Sequence, residues 1–255
     1  MRLVALTCSN TEIVCALGAS EELVGVDNHS DFPAEVVTRL PRVGPDLQID
    51  IAAVAALKPD LVLASLTVPG HERVIEGLER AKLPYLAPEP RCLDDVYADI
   101  RLIGGALGVT DRAGELVRSM QLELTPIAAS LRPRVLVEWW PKPVIVPGRD
   151  SWVNQLLAAA GAENPLCGRA VKSTPISDAE AVELNPDAVV MSWCGVRPEM
   201  YRSHIVYRRP AWQELPALRN RRVYGVPEAY LGRPGPRLVE GARAFRRIVA
   251  ELNAG

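Results

Sequence analysis

The residues able to do chemistry in this chain are of types that bind rather than cleave. Trp139 and Trp140 stand together after the apolar run Val135–Glu138, Trp193 follows the apolar run 188–191, and Trp152 follows Gly148-Arg149-Asp150-Ser151. Strand side chains alternate between faces, so two adjacent tryptophans at a strand end cannot both enter one core face. With Tyr230 near Arg233 in sequence, such rings suit a large, flat, partly apolar ligand. Core packing accounts for any single tryptophan equally well. A second, polar group consists of Asn10, Asn28, His29 and Ser65. Each falls just past a predicted strand, and ligands of open parallel sheets sit beyond the strands' carboxyl ends. Helix capping by Ser9 or Asn10, with Glu12 in the first turn, also explains the first of these positions. A lone His29 in a polar loop also reads as an ordinary surface residue.

Catalytic and metal signatures are missing. No GxGxxG follows a strand, and GxxxxGK[ST], HExxH and GxSxG do not occur. The three histidines, His29, His71 and His204, are far apart, and the five cysteines show no CxxC or zinc-like spacing. An odd cysteine count cannot pair completely within the chain, and buried or free thiols are expected. Glu12, Asp31 and Glu138 could serve as acid–base groups, yet no partner is visible along the chain. The expectation is no catalysis and no resident metal or cofactor.

The elements that must position these residues repeat. Asp50-Ile-Ala-Ala-Val-Ala-Ala-Leu-Lys-Pro-Asp-Leu-Val-Leu-Ala-Ser65 is echoed by Ser177-Asp-Ala-Glu-Ala-Val-Glu-Leu-Asn-Pro-Asp-Ala-Val-Val-Met-Ser192. Each copy reads as a short helix, a Pro-Asp turn that cannot continue it, and a buried strand. One copy per half predicts two similarly built lobes with a ligand cleft between them. Strands are expected at 2–8, 23–26, 61–64, 84–87, 135–138, 188–191 and 223–226. Helices are expected at 11–17, 51–57, 71–81, 93–107, 111–130, 152–160, 178–184 and 237–253. This alternation predicts an α/β fold of two Rossmann-like lobes with mostly parallel sheets. The organisation is an amino-terminal lobe over 1–108, one long backbone helix over 109–132, and a carboxyl-terminal lobe over 133–255.

Length and charge bound the function. The 255 residues suit two domains, and a net charge of −2 argues against a nucleic-acid partner. No run approaches the roughly 20 apolar residues of a membrane span. Met1-Arg2 leads directly into the first predicted strand without the pattern of a secretory leader. A cytoplasmic protein is expected on that basis, or a periplasmic or membrane-attached extracytoplasmic one if a leader was removed.

Several short segments, in order and spacing, carry a resemblance that spans the chain. They are Ser9-Asn10-Thr11-Glu12 with Ala16-Leu17-Gly18-Ala19, Val24-Gly25-Val26 through Ser30-Asp31-Phe32-Pro33, and Leu57-Lys58-Pro59-Asp60-Leu61-Val62. Asn154-Gln155-Leu156-Leu157 with Ala160-Gly161-Ala162-Glu163-Asn164 completes the set. The chain resembles the class III, helical-backbone substrate-binding proteins of ABC importers, most closely the vitamin B12 (cobalamin)-binding branch. The segment from Glu138-Trp139-Trp140 through Pro147-Gly148-Arg149 to Trp152 is similar to a cobalamin-binding sub-group.

The resemblance implies non-catalytic binding of a corrinoid between rigid lobes. Asn28, His29 and Ser65 would lie on one wall, and Trp139, Trp140 and Trp193 on the other. Siderophore and haem binders share the scaffold, and an anionic ferric ligand would call on Arg91, Arg149, Arg197 or Arg233. A cleft enzyme of chelatase-like type, with His29 facing Glu138, is the remaining alternative. The family's permease-docking glutamates fall on Ala52 and Ala179 here, with Glu180 beside the second. Ser65-Leu66 stands where cobalamin binders often carry an aromatic.

Overall fold

The computed structural model describes residues 1–254, which divide into two compact units. The first comprises Met1–Pro90 and Asp94–Ser119; the second comprises Arg91–Leu93 and the chain from Met120 onward.

In the first unit, β1 (Leu3–Ala5), α1 (Cys8–Ala16), β2 (Leu23–Val26), α2 (Ala34–Val37), α3 (Ile51–Ala56), β3 (Leu61–Leu63), α4 (His71–Arg80) and β4 (Tyr85–Leu86) follow one another. Then come α5 (Leu93–Ala106) and α6 (Thr110–Glu123), the second of which carries the chain into the other unit. The four strands form one parallel sheet ordered β2-β1-β3-β4. Leu3, Val4 and Ala5 are fully buried, as the middle strand of a sheet covered on both faces requires.

The second unit contains β5 (Val135–Glu138), β6 (Trp140–Pro141), β7 (Val144–Pro147), α7 (Val153–Ala158), β8 (Ser173–Ile176), α8 (Asp178–Leu184) and β9 (Ala188–Met191). After these come α9 (Ser203–Tyr207), α10 (Pro216–Arg219), β10 (Val223–Gly225), α11 (Glu228–Leu231) and α12 (Leu238–Ala254). Its parallel sheet is ordered β10-β9-β5, and β6-β7-β8 form a separate antiparallel sheet. Helix α12 buries Leu238, Ala242, Phe245, Ile248 and Val249 along one stripe, the helical spacing expected for this segment.

The repeated segment does the same physical work in both units. Helices α3 and α8 are followed by Lys58 and Asn185, whose φ angles of 48° and 44° are left-handed. Each precedes a proline, which disfavours continuing the helix. The following aspartate then reaches across to the residue before the unit's first strand. Asp60 accepts from the Arg2 backbone N–H at 2.7 Å, and Asp187 from that of Arg134 at 2.8 Å. Those arginines in turn donate to the helix-end carbonyls of Leu57 and Leu184, covering carbonyls that the helix leaves unpaired.

The structure departs from the expected elements in three places. The first strand stops at Ala5 and α1 starts at Cys8, so the predicted strand 2–8 is too long and the helix starts three residues early. The helix expected over 111–130 ends at Glu123, because Pro126 offers no N–H and disfavours helix at the residue before it. The antiparallel β6-β7-β8 sheet is unanticipated. Its strands contain Pro141, Pro147 and Pro175, which the sequence presents as loop punctuation, though edge strands and strand ends tolerate proline. Cys8, Cys15, Cys92, Cys167 and Cys194 are free thiols. Among the described residues no helix is long and apolar enough to cross a membrane.

At the start of α8, Ser177 Oγ accepts from the Glu180 N–H while the Glu180 carboxylate accepts from the Ser177 N–H at 2.8 Å. Arg169 adds a bond at 2.8 Å. The Ser177 N–H, then Arg169, pull the Glu180 carboxyl down to about 2. A depressed folded-state value stabilises above the ordinary glutamate range, near pH 4.3, and the contribution fades as pH falls towards the folded value. Glu180→Gln is therefore expected to lower stability at about pH 6 and to match the parent near pH 2. Urea denaturation at both pH values checks this; a gap independent of pH would contradict it.

Candidate functional site

In the first unit, the loops at the carboxyl ends of β1, β2 and β3 are held by buried polar bonds. Asn10 is 3% exposed, and its Nδ2 donates to the Ala64 carbonyl at 2.7 Å. It braces α1 against the end of β3, so the amide nitrogen is committed to the backbone. Thr11 and Ser30 share a hydroxyl hydrogen bond of 2.8 Å, and Ser30 donates onward to the buried Asp27 carboxylate. Burial raises the Asp27 carboxyl, against the bonds from Ser30 and the His29 N–H. Arg42 donates to the carbonyls of Asp27 and Ser30. The loop is thereby fixed while the side chains of Asn28 and His29 remain exposed. Asn28 Oδ1 accepts from Gly44 N–H at 3.2 Å. Ser65 is buried, with its Oγ bonded to Thr67 Oγ1 at 2.9 Å.

Two of the three histidines converge on a carboxylate. His29 Nε2 lies 3.8 Å from Asp46 Oδ1, and His71 Nε2 lies 3.7 Å from Asp46 Oδ2. The His71 ring beside it, more than the charge of His29, holds the Asp46 carboxyl below the usual range, with burial opposing. His71 Nδ1 accepts from the Val68 N–H, so its neutral ring carries the proton on Nε2. That proton makes the trio a poor metal cage. Among the described residues no set of three or more His, Cys, Asp or Glu side chains is arranged to hold a metal ion.

In the second unit the tryptophans separate. Trp152 is buried and donates its Nε1–H to the Leu231 carbonyl at 2.7 Å. Trp193, 4% exposed, donates to Glu138 Oε1 at 2.8 Å and packs against Tyr201 with centroids 5.6 Å apart. Trp139 is half-buried and Trp140 is 40% exposed, so these two offer the accessible rings. Tyr230 is half-buried beneath the Arg237 guanidinium, 5.4 Å from the ring centre. Arg149 is exposed and pairs with Asp150 at 3.5 Å. Arg91 and Arg197 are exposed, and Arg233 pairs with Glu228 at 3.3 Å. The structure therefore pairs Trp193 with Tyr201 and takes Trp152 into the core.

Tyr201 and Arg209 escape a reading of the sequence. Tyr201 accepts from the Glu228 N–H at 3.1 Å. Arg209 meets Glu138 at 2.6 Å across a separation of 71 residues, which no local spacing reveals. Glu138 is fully buried and bonded to both Arg209 and Trp193. Its oxygens are committed, which removes the acid–base role considered for it.

The model of the family described as Periplasmic binding protein matches residues 3–230. The chain belongs to this family. The chain is 32% identical to an uncharacterized ABC transporter substrate-binding lipoprotein, YvrC, of Bacillus subtilis (strain 168), over 97% of its own length and 79% of the relative's. It is 26% identical to the Vitamin B12-binding protein of Pectobacterium carotovorum subsp. carotovorum (strain PC1), over 100% of its length and 90% of the relative's. Among solved structures it is similar to the periplasmic heme-binding protein RhuT from Roseiflexus sp. RS-1, with a TM-score of 0.80 and 26% identity, covering 97% of this chain and 98% of that one. All three of these relatives are named as binding proteins. One is described as a lipoprotein and another as periplasmic, which lends no support to the cytoplasmic placement expected above.

The Glu138 hub is a demanding electrostatic contact, since the Arg209 side chain is only 11% exposed and that of Glu138 is 0% exposed. Arg209→Ala strands a buried carboxylate and is expected to cost about 3–5 kcal/mol. Denaturant titration measures it, with Glu138→Gln/Arg209→Met as the double variant expected to recover most of the loss. A cost below about 1 kcal/mol, the value of an exposed pair, would contradict the role assigned to the hub.

Proposed function

We infer that this protein binds a large metal chelate, in first place cobalamin or another corrinoid, as the extracytoplasmic substrate-binding component of an ABC importer. The observation that carries the reading is the chemistry of the first unit's strand ends. Residues 6–10, 27–32 and 64–69 contain no lysine or arginine and offer amide, imidazole and hydroxyl groups, with two carboxylates, the buried Asp27 and the exposed Asp31. A multiply anionic ferric chelate would call for guanidinium groups there. A corrinoid, with a broad apolar ring and neutral amide arms, matches uncharged donors and acceptors better. Trp139 and Trp140 supply accessible aromatic area in the second unit. The whole-length similarity to a vitamin B12-binding protein supports the same ligand class.

A second reading, haem, draws on Arg233 and Arg237 near Tyr230 and on the similarity to a heme-binding protein. Those arginines would serve the acidic arms of a porphyrin. A permease partner follows from membership in the importer group. Ala52 and Ala179 are exposed where docking glutamates are expected, and Glu180 is tied to Ser177 and Arg169. Coupling then draws on other surface contacts.

Calorimetric titration with cyanocobalamin, hydroxocobalamin and hemin tests the ligand. Saturable one-to-one cobalamin binding at about micromolar Kd or tighter, near −8 kcal/mol, is the expected result. Replacing both Trp139 and Trp140 by alanine should weaken it by roughly tenfold or more, the loss typical of aromatic anchors. Hemin bound in preference to both cobalamins would replace the corrinoid reading with the haem reading.

A further inference from the structure

His29, Asp46 and His71 belong to the first unit but to three separate pieces of chain: the loop after β2, the loop before α3, and the first residue of α4. His71 is 3% exposed, and its Nε2 has no hydrogen-bond partner. The nearest charged atom to it is Asp46 Oδ2, at 3.7 Å. Because Nδ1 accepts from the Val68 N–H at 3.4 Å, the ring proton faces Asp46. His71 therefore backs the carboxylate from within the fold. The other oxygen of Asp46 faces His29 Nε2, and a carboxylate favours the ring proton on the nitrogen turned towards it.

The consequence falls on the remaining nitrogen of His29. In a neutral ring with Nε2 protonated, Nδ1 keeps its lone pair. The His29 side chain is 55% exposed, and among the described residues its ring has no ion-pair or hydrogen-bond partner besides Asp46. Pinning the 44–50 loop to α4 explains His71 and Asp46 without any ligand. It does not explain an exposed imidazole turned to the same carboxylate from the carboxyl end of β2. At 3.8 Å Asp46 faces the far nitrogen of His29 at ion-pair rather than hydrogen-bond distance; a carboxylate on that side is the arrangement that, once drawn into a hydrogen bond, makes the near nitrogen a better metal ligand.

We propose that His71 and Asp46 position His29 so that its Nδ1 coordinates the metal of a bound chelate at an axial position. This rests on the metal-chelate reading above. With aquacobalamin, the Nδ1 lone pair forms a Co–N bond as the Co–OH2 bond breaks and water leaves. Cobalt stays trivalent, and the proton stays on His29 Nε2. His29 is the coordinating residue, and Asp46 and His71 are positioning residues.

Absorbance titration of the full chain with aquacobalamin tests the proposal, with cyanocobalamin, whose cyanide does not exchange, as the control. The expected result is a shift of the intense near-ultraviolet band on binding aquacobalamin. His29→Ala should abolish the shift and lose more affinity for aquacobalamin than for cyanocobalamin. Asp46→Asn should weaken aquacobalamin by about tenfold, the loss seen when an outer-shell partner of a ligating histidine is removed, with a smaller loss for cyanocobalamin. Aquacobalamin bound without a shift, or an undiminished shift in His29→Ala, would overturn the proposal.

Failure to bind either cobalamin would sink the corrinoid reading instead. The coordination proposal would then stand or fall on hemin, for which a His29-dependent change in the Soret band supports it and no such change overturns it. Proton–nitrogen NMR correlation of the ligand-free protein separates positioning from ligand identity. The Nε2–H tautomer of His29, lost in Asp46→Asn, is expected, and an Nδ1–H tautomer overturns the proposal.

Discussion

Everything at the strand ends depends on a short clamp made twice, between the aspartate of a Pro-Asp turn and the residue before each unit's first strand. A parallel strand pair has no hairpin to set its register, so a non-local contact must do so. In the first unit Asp60 holds the Arg2 N–H, and the Asp60 N–H returns to the Arg2 carbonyl. Asp187 and Arg134 repeat both bonds in the second unit. With the amino ends fixed, β1 pairs Leu3 with Leu61, and β5 pairs Val135 with Ala188. The carboxyl ends are then level as well. Asn10 can reach the Ala64 carbonyl, and Ser192 and Cys194 can bond the carbonyls of Glu138 and Trp139. Residues 54 or more positions apart meet because their strands start together.

Level strand ends create a second demand, because they bring polar groups into dry surroundings. The second unit answers with a chain of charge and aromatic contacts. Glu138 accepts from Trp193 and Arg209, the Arg209 guanidinium lies 4.3 Å over the Trp212 ring, and Trp212 donates to Asp178 at 2.7 Å. A buried carboxylate is tolerated only where such partners are complete. The first unit answers with smaller groups, Asp27, Ser30, Thr11 and the Arg42 guanidinium. Both solutions leave little freedom in the backbone beneath the exposed side chains.

These features explain what the sequence made legible. The repeat was visible because helix, Pro-Asp turn and apolar strand are contiguous, and each is dictated by local backbone chemistry. The clamp itself was not, since Arg2 and Arg134 lie 58 and 53 residues from their aspartates. Strand-end position picks out Asn28, His29 and Trp140 as candidate ligand contacts, and their side chains are exposed. The same rule picked Asn10 and Trp193, whose polar atoms turn inward to Ala64 and Glu138. Side-chain direction at a strand end is set by whichever buried acceptor lies nearest, and that acceptor comes from a distant segment. Trp152 is the clearest case. Its acceptor is the carbonyl of Leu231, 79 residues on. Prolines at 141, 143, 147 and 175 concealed the antiparallel sheet for the opposite reason, by imposing a local reading that tertiary pairing overrides.

A framework braced in this way separates folding from recognition. Asp27, Arg42, Glu138 and Arg209 hold backbone and core, and their removal would disturb the scaffold before it altered any ligand contact. Asn28, His29, Trp139 and Trp140 stand on that scaffold with much of their surface open. Substitutions at such positions change surface chemistry at little cost to stability, because no buried group loses its partner. One fold can therefore serve ligands as different as those named for its relatives, with the choice resting on a handful of exposed side chains. On the proposed reading, the handful in this chain is without lysine or arginine on the first unit and aromatic on the second. That combination, rather than the shared architecture, is the physical ground for placing a neutral-armed corrinoid ahead of an anionic ferric chelate.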